Sequence, residues 1–419
     1  MTAVETQRAI DAVFRMEQAK LIAGLARLTR DVGLAEELAQ DALVAALDQW
    51  PQSGVPRNPG AWLMAAAKNR AIDLFRRNRI AERKYAEVGR ELEEEERAVP
   101  DYDTGLDDDI GDDLLSLIFT ACHPVLKPDA RAALTLRLLG GLTTAEIARA
   151  FLVPEPTIAQ RIVRAKKTLA EAKVPFETPR GPERAERLAS VLGVLYLIFN
   201  EGYSATAGED WMRPKLSQEA LRLGRVLAGL APQEPEVHGL LALMEIQASR
   251  FAARTGPGGE PILLPDQNRA RWDQLLIRRG LAALARAEAL DGADGAYALQ
   301  AGIAACHARA RTAGETDWAR IAGLYGRLAQ LQPSPVVELN RAVAVSMADG
   351  PAAGLELVEA VAGDPSLKAY HVLPSVRGDL LFKLDRFREA KAEFERAASL
   401  TRNARERALL MKRAAECAS

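Results

Sequence analysis

Apolar positions recur at helical spacing through most of the chain, and two segments show it best. In TTAEIARAFLVPEPTIAQRIVRAKKTL (Thr143–Leu169), Ile158, Ile162, Ala165 and Leu169 fall at i, i+4, i+7 and i+11, one buried stripe of a helix. Just before it, Ile147, Ala148 and Phe151 give a shorter helix an apolar side. Thr143 or Thr144 can cap that helix, which is predicted to begin near Ala145 with Glu146 in its dipole-favoured first turn. Pro154 and Pro156 separate the two, and Pro156 suits the first turn of the second helix, where a missing N–H is harmless. In NPGAWLMAAAKNRAIDLFRRNRI (Asn58–Ile80), Leu63, Met64, Ala67, Ala71, Leu74 and Phe75 share one face. Trp62, Asn69, Arg70, Asp73, Arg76 and Arg77 fall on the other. Upstream, DVGLAEELAQDALVAALDQW (Asp31–Trp50) sets Leu34, Leu38, Ala42 and Ala45 in a core stripe, with Glu36, Glu37, Gln40, Asp41 and Asp48 on a polar face.

The pattern is broken by KVPFETPRGPE (Lys173–Glu183), RTGPGGEPILLPDQ (Arg254–Gln267) and DGADG (Asp291–Gly295), which read as loops. Towards the C-terminus, Ala390-x3-Phe394-x2-Ala397 with Gly378 upstream resembles the tetratricopeptide pattern, in which small residues let two antiparallel helices approach. Weaker copies are Ile321-x3-Tyr325 followed by Pro333, and Gly354-x3-Val358. Their spacings, 33 and 36 residues, bracket that repeat's period. Aromatic residues are only 5% of a chain rich in Ala, Leu, Arg and Glu, which fits an all-α fold.

Net charge is −2, but that average conceals blocks. Residues 62–90 carry net +5, residues 91–113 net −11, and residues 131–173 net +5. The acidic block ELEEEERAVPDYDTGLDDDIGDD repels itself and reads as a flexible tether. It is no calcium loop, because the fifth and sixth positions from Asp101 hold Gly105 and Leu106. No apolar run approaches the roughly 18 residues that span a bilayer. The N-terminus lacks a signal peptide's basic start and apolar core, so a cytoplasmic protein without membrane contact is expected. Cys122, Cys306 and Cys417 are far apart, which excludes a disulfide framework. The Cys122-His123 and Cys306-His307 pairs lack zinc-ligand spacing and read as helical packing residues, so neither metal nor cofactor is expected.

The second helix of the opening pair presents Thr157, Gln160, Arg161, Arg164 and Lys167 opposite its buried stripe, as a helix reading a major groove would. Leu152 sits where such a turn often has Gly. In the earlier basic helix, a Trp among Arg and Asn suits stacking on unpaired bases beside phosphates, although Trp62 can equally fold into the core. Three segments together, AEELAQDALVAALDQWP, WLMAAAKNRAIDLFRR and ALTLRLLGGLTTAEIARAFLVPEPTIAQRIVRAKKTL, resemble regions 2 and 4 of a sigma-70 family factor of the extracytoplasmic-function group. The rest, including LYLIFNEGYSA, SPVVELNRAVAV and TDWARIAGLYGRLAQL, resembles the subgroup with a long tetratricopeptide-like helical extension.

The resemblance implies a region 2 domain over 1–88, an acidic linker over 89–113 and a helix-turn-helix region 4 domain over 114–175. A proline-rich hinge over 176–185, a helical middle domain over 186–290 and a repeat domain over 291–419 follow. It implies core RNA polymerase and promoter DNA, duplex and melted, as partners. Glu37, Gln40 and Asp41 match the polymerase-docking helix. Trp62, Asn69, Arg70, Asp73, Arg76 and Arg77 match the helix that opens and reads the downstream element, with its loop inside 52–59. Thr157, Gln160, Arg161, Arg164 and Lys167 match the upstream reader. The extension is expected to control activity by contacting its own sigma domains or the polymerase. The competing class is a helix-turn-helix regulator with a helical sensor domain that acts without replacing a sigma factor. An enzyme is not expected: no GxSxG, HExxH or GxxxxGK[ST] occurs, and only four histidines are present.

Overall fold

The computed structural model describes residues 3–88, 110–205 and 211–417. They form eighteen α-helices and no β-strand, only an isolated bridge between Thr255 and Pro261. None of these helices is long and apolar enough to cross a membrane. The chain divides into two compact units, Met1–Arg149 with Val153–Val194, and Leu195–Ser419 with Ala150–Leu152.

The first unit is built around α1 (Ala3–Thr29), which packs on α2 (Val32–Ser53), α3 (Pro59–Val88) and α4 (Ile110–Ala121). Asp31 caps α2, its Oδ1 accepting from the Gly33 and Leu34 amides at 2.7 and 3.0 Å. Asn58 and Pro59 start α3 in the same manner, with Asn58 Oδ1 accepting from Ala61 N at 3.1 Å. The buried line of α3 is Leu63, Ala67 and Ala71, whose small members let it approach α1 and α2. That line is narrower than the pattern suggests: Met64 and Leu74 are half-buried, and Phe75 is 41% exposed.

Residues 89–109, most of the acidic block, lie outside the described residues, and with them the tether reading. Its end does not belong to a linker. Ile110–Asp113 open α4, with Asp112 and Asp113 in the first turn, where the helix dipole favours negative charge. Three further helices complete the region, α5 (Pro128–Leu138), α6 (Thr144–Phe151) and α7 (Glu155–Glu171).

The stretch expected as a hinge over 176–185 is tied down instead. The Ser116 and Thr178 hydroxyls are 3.1 Å apart, Pro179 is buried, and α8 (Pro182–Tyr203) already starts inside the stretch. Arg187 Nη2 donates to the Phe119 carbonyl at 3.1 Å, and Ser190 Oγ to that of Cys122 at 2.6 Å. These are carbonyls that the end of α4 leaves without intrahelical partners, so the start of α8 completes the first unit.

The second unit continues with α9 (Pro214–Leu230), α10 (Pro235–Ala248), α11 (Gln274–Ala289), α12 (Ala296–Arg309), α13 (Trp318–Leu331), α14 (Pro335–Asp349), α15 (Pro351–Val361), α16 (Val372–Lys383), α17 (Phe387–Leu400) and α18 (Ala404–Glu416). From α12 onward each helix packs on the next. Small residues sit at the crossings. A Cβ on Gly378 of α16 would come within 3.0 Å of the Phe394 ring and 3.3 Å of the Ala390 carbonyl on α17. One on Gly354 of α15 would come within 2.4 Å of Ser346 Cβ on α14. Ala390, Phe394 and Ala397 join Leu339, Val358 and Leu381 in one core.

Candidate nucleic-acid and polymerase interfaces

The α6–α7 pair is set by local chemistry. Thr143 Oγ1 accepts from Glu146 N at 3.1 Å, and Glu146 Oε2 accepts from Thr143 N at 2.8 Å, a reciprocal capping box. Burial pushes the Glu146 carboxyl up, but the Thr143 hydrogen bonds and Arg15, 2.9 Å away, outweigh it and hold it below the usual glutamate range. The α6 helix ends with Leu152 in the left-handed region, φ 51°, while Val153 N closes back on Ala148 O at 3.1 Å. The residue that replaces the expected Gly therefore adopts the backbone that Gly would favour. Pro154 precedes α7, and Pro156 stands in its first turn.

On α7 the stripe Ile158, Ile162, Ala165 and Leu169 is buried. Thr157, Gln160, Arg164 and Lys167 are exposed, and Arg161 is half-buried. Arg161 reaches Asp129 at 3.6 Å, and Lys167 reaches Glu171 at 3.6 Å. Such long pairs, each with at least one solvent-exposed partner, contribute roughly 0–1 kcal/mol and yield readily to a phosphate.

On α3, Asn69, Arg70, Asp73, Arg76 and Arg77 are all exposed. Trp62 is half-buried and meets the buried Trp50 edge-on, with ring centroids 5.3 Å apart at 67°. Its ring is thus partly committed to the core. The connection from α2 is Gly54–Asn58, and Gly54 takes φ 82°. On α2, Glu37 and Asp41 are exposed and Gln40 is half-buried. Asp41 Oδ2 accepts from Arg70 Nε at 3.1 Å, which joins the α2 and α3 surfaces.

Glu36 does not belong to that polar face. It is 4% exposed, and its carboxylate binds Arg137 Nε of α5 at 2.6 Å and also pairs with Lys166 of α7. Nearby, Gln18 Nε2 donates to the Arg137 carbonyl at 3.1 Å. One buried carboxylate thus ties α2 to the helix-turn-helix region. The sequence carries a signal for this: Glu36 lies in the buried series Val32, Ala35, Ala39, Ala42 and Ala46.

Cys122 is buried, and burial pushes its thiol up to about 11. No cluster of three or more potential metal-ligating side chains occurs among the described residues.

Family models match three stretches. The sigma-70 region 2 model covers residues 13–80, and the sigma-70 region 4 model covers residues 116–169. A family of unknown function, DUF6596, covers residues 187–288. The uncharacterized protein R00370 of Rhizobium meliloti (strain 1021) is 43% identical over 402 residues, 96% of this chain and 94% of that protein.

Three substitutions test the local account. Glu36→Ala is expected to lower the stability of the first unit by about 2–4 kcal/mol, because removing one partner strands buried charge; Arg137 and Lys166 reach some solvent and soften the loss. Urea unfolding measures it. Leu152→Gly is expected to stay within about 1 kcal/mol of the native protein, because relief of the left-handed strain offsets the added chain entropy. Leu152→Val, β-branched at the same φ, is expected to be clearly destabilising in the same assay.

Proposed function

Because the chain belongs to the sigma-70 family, as an RNA polymerase sigma factor of the extracytoplasmic-function type with a C-terminal extension, we propose that α7 reads an upstream promoter element as duplex while α3 and the loop before it open and read a downstream one. The observation that carries the reading is α7 itself. A fully buried stripe fixes the helix, and Thr157, Gln160, Arg164 and Lys167 stand exposed opposite it, with Arg161 at the margin. Arg and Gln on a helix in the major groove discriminate base edges by about 1–3 kcal/mol per good pair, and Lys positions on phosphate.

The downstream role falls to Asn69, Arg70, Asp73, Arg76 and Arg77, an exposed polar strip on one rigid helix. Trp62 acts at its margin: the Trp50 contact fixes the start of α3, and the exposed part of the ring is what a splayed base can meet. Glu37, Gln40 and Asp41 offer a carboxylate-rich face to a basic surface of core polymerase. Two modest readers joined by one chain bind more tightly than either alone when the connection spans both elements. The extension, with its own helical core, controls this activity.

Run-off transcription with core polymerase tests the assignment. Arg164→Ala is expected to reduce transcript about 5- to 150-fold, corresponding to about 1–3 kcal/mol. Lys167→Ala is expected to act on all promoters alike and to flatten the salt dependence. Undiminished transcription from both variants contradicts the role of α7. Control is tested by a truncated protein ending at Val194, which keeps the α8 groups that cap α4. Its promoter activity is expected to differ from that of the full chain, and an equal rate removes the extension from regulation.

A further inference from the structure

The second unit gathers three arginines, none of which forms an ion pair with a carboxylate among the described residues. Arg250 and Arg254 flank the short helical turn Phe251–Ala253, and Arg269 opens the turn Arg269–Arg271. Arg254 is 7% exposed. Its guanidinium carbon lies 3.5 Å from the centre of the Tyr203 ring and 5.6 Å from that of Trp211. Its hydrogen-bond contacts are the Tyr203 carbonyl and, at 3.4 Å, the Met212 sulfur. Arg250 stands between the Tyr203 and Trp272 rings at 5.7 and 5.9 Å, and its Nε is buried without an acceptor. Arg269 lies over Trp272 at 4.8 Å and donates to the carbonyls of His307 and Ala310 and to Thr316 Oγ1.

Three more buried polar atoms around these arginines have no partner: Nε1 of Trp272, Nδ1 of His307 and Nε1 of Trp211. Trp272 and His307 are 4% and 8% exposed. Among the described residues, the group carries more positive charge than its neighbours offset. Burial, then the charges of Arg250 and Arg269, lower His307 to about 4, so its ring is neutral near pH 7. Burial, with Arg250 beside it, lowers Arg254 to about 10. Glu315 is the carboxylate felt by Arg269, and no described carboxylate forms an ion pair with Arg250, Arg254 or Arg269. Aromatic faces offset only part of the desolvation of neighbouring guanidiniums.

We propose that Arg250, Arg254 and Arg269, walled by Tyr203, Trp211 and Trp272, form a binding site for the oxyanion group of a small molecule, a phosphate or a carboxylate. The forked guanidinium of Arg250 and the indole N–H groups supply donors of the kind that bind such groups. The three arginines and three rings lie in the stretch matched by the family of unknown function, and the site gives the extension an input of defined chemistry. It stands apart from the promoter-reading assignment, because its test uses no transcription.

The full-length protein is titrated with inorganic phosphate and, separately, citrate at constant ionic strength, with sodium chloride as reference. Tryptophan fluorescence and calorimetry follow binding. Saturable binding near one site per chain is expected, and the stronger of the two arms identifies phosphate or carboxylate. Arg250→Gln is expected to weaken it about tenfold or more, the worth of a charge-assisted hydrogen bond. Trp272→Phe, which keeps a ring but removes the N–H, is expected to weaken it less, and it decides the matter if Arg250→Gln fails to fold. Exposed Arg278→Gln is expected to bind as the native protein does. An equal response to chloride, or undiminished binding by folded Arg250→Gln or, failing that, Trp272→Phe, overturns the proposal.

Discussion

The first unit depends on one buried carboxylate. Glu36 of α2 holds Arg137 of α5 and Lys166 of α7, so a single side chain joins the region 2 helices to region 4. Three charges gathered at a half-dry junction stabilise it only while all are present, which makes the contact specific rather than merely adhesive. It also divides the basic residues of α7. Lys166 is committed inward, whereas Gln160, Arg164 and Lys167 face solvent. The DNA-reading surface proposed above is therefore accessible even with the two regions packed together.

A comparable economy marks the α2–α3 surface. Asp41, proposed to meet polymerase, is paired with Arg70, proposed to meet DNA, through an exposed bond of 3.1 Å. Both ends are solvated, so the pair contributes little to stability and either partner can exchange it for an external ligand. Trp50 and Trp62 lie beside this surface, one buried and one half-buried, and anchor the start of α3 to the core. Rigid helices under exposed polar strips are what a reader of fixed geometry requires.

Much of this was legible because it is local. The stripe from Ile158 to Leu169, the Thr143–Glu146 cap and the role of Pro156 follow from helix periodicity and end chemistry, and the structure reproduces them. Gly378 and Ala390 marked a close helix crossing for the same reason. What escaped is long-range. Glu36 looked like one more acid on a polar face because its partners lie 101 and 130 residues away. The proline-rich stretch after Lys173 reads as free because the groups that hold it and the helix after it, Ser116, Phe119 and Cys122, come from α4 and the residue that follows it. Spacing sets Phe75 on the same face of α3 as Leu63, but spacing alone cannot tell where covering helices end, and Phe75 is exposed. Of the arginines around Trp272, Arg254 opens a loop of no periodicity and Arg250 and Arg269 flank it, and their neighbours are rings brought together from Tyr203, Trp211 and beyond.

The central claim is that this chain recognises promoters as part of RNA polymerase rather than alone. The most direct measurement is promoter-DNA binding over a range of salt concentrations, with and without core polymerase. The account predicts weak binding by the protein alone that differs little between promoter and random sequence, and specific binding once core polymerase is added. Tight, sequence-specific binding to duplex DNA without polymerase would contradict it.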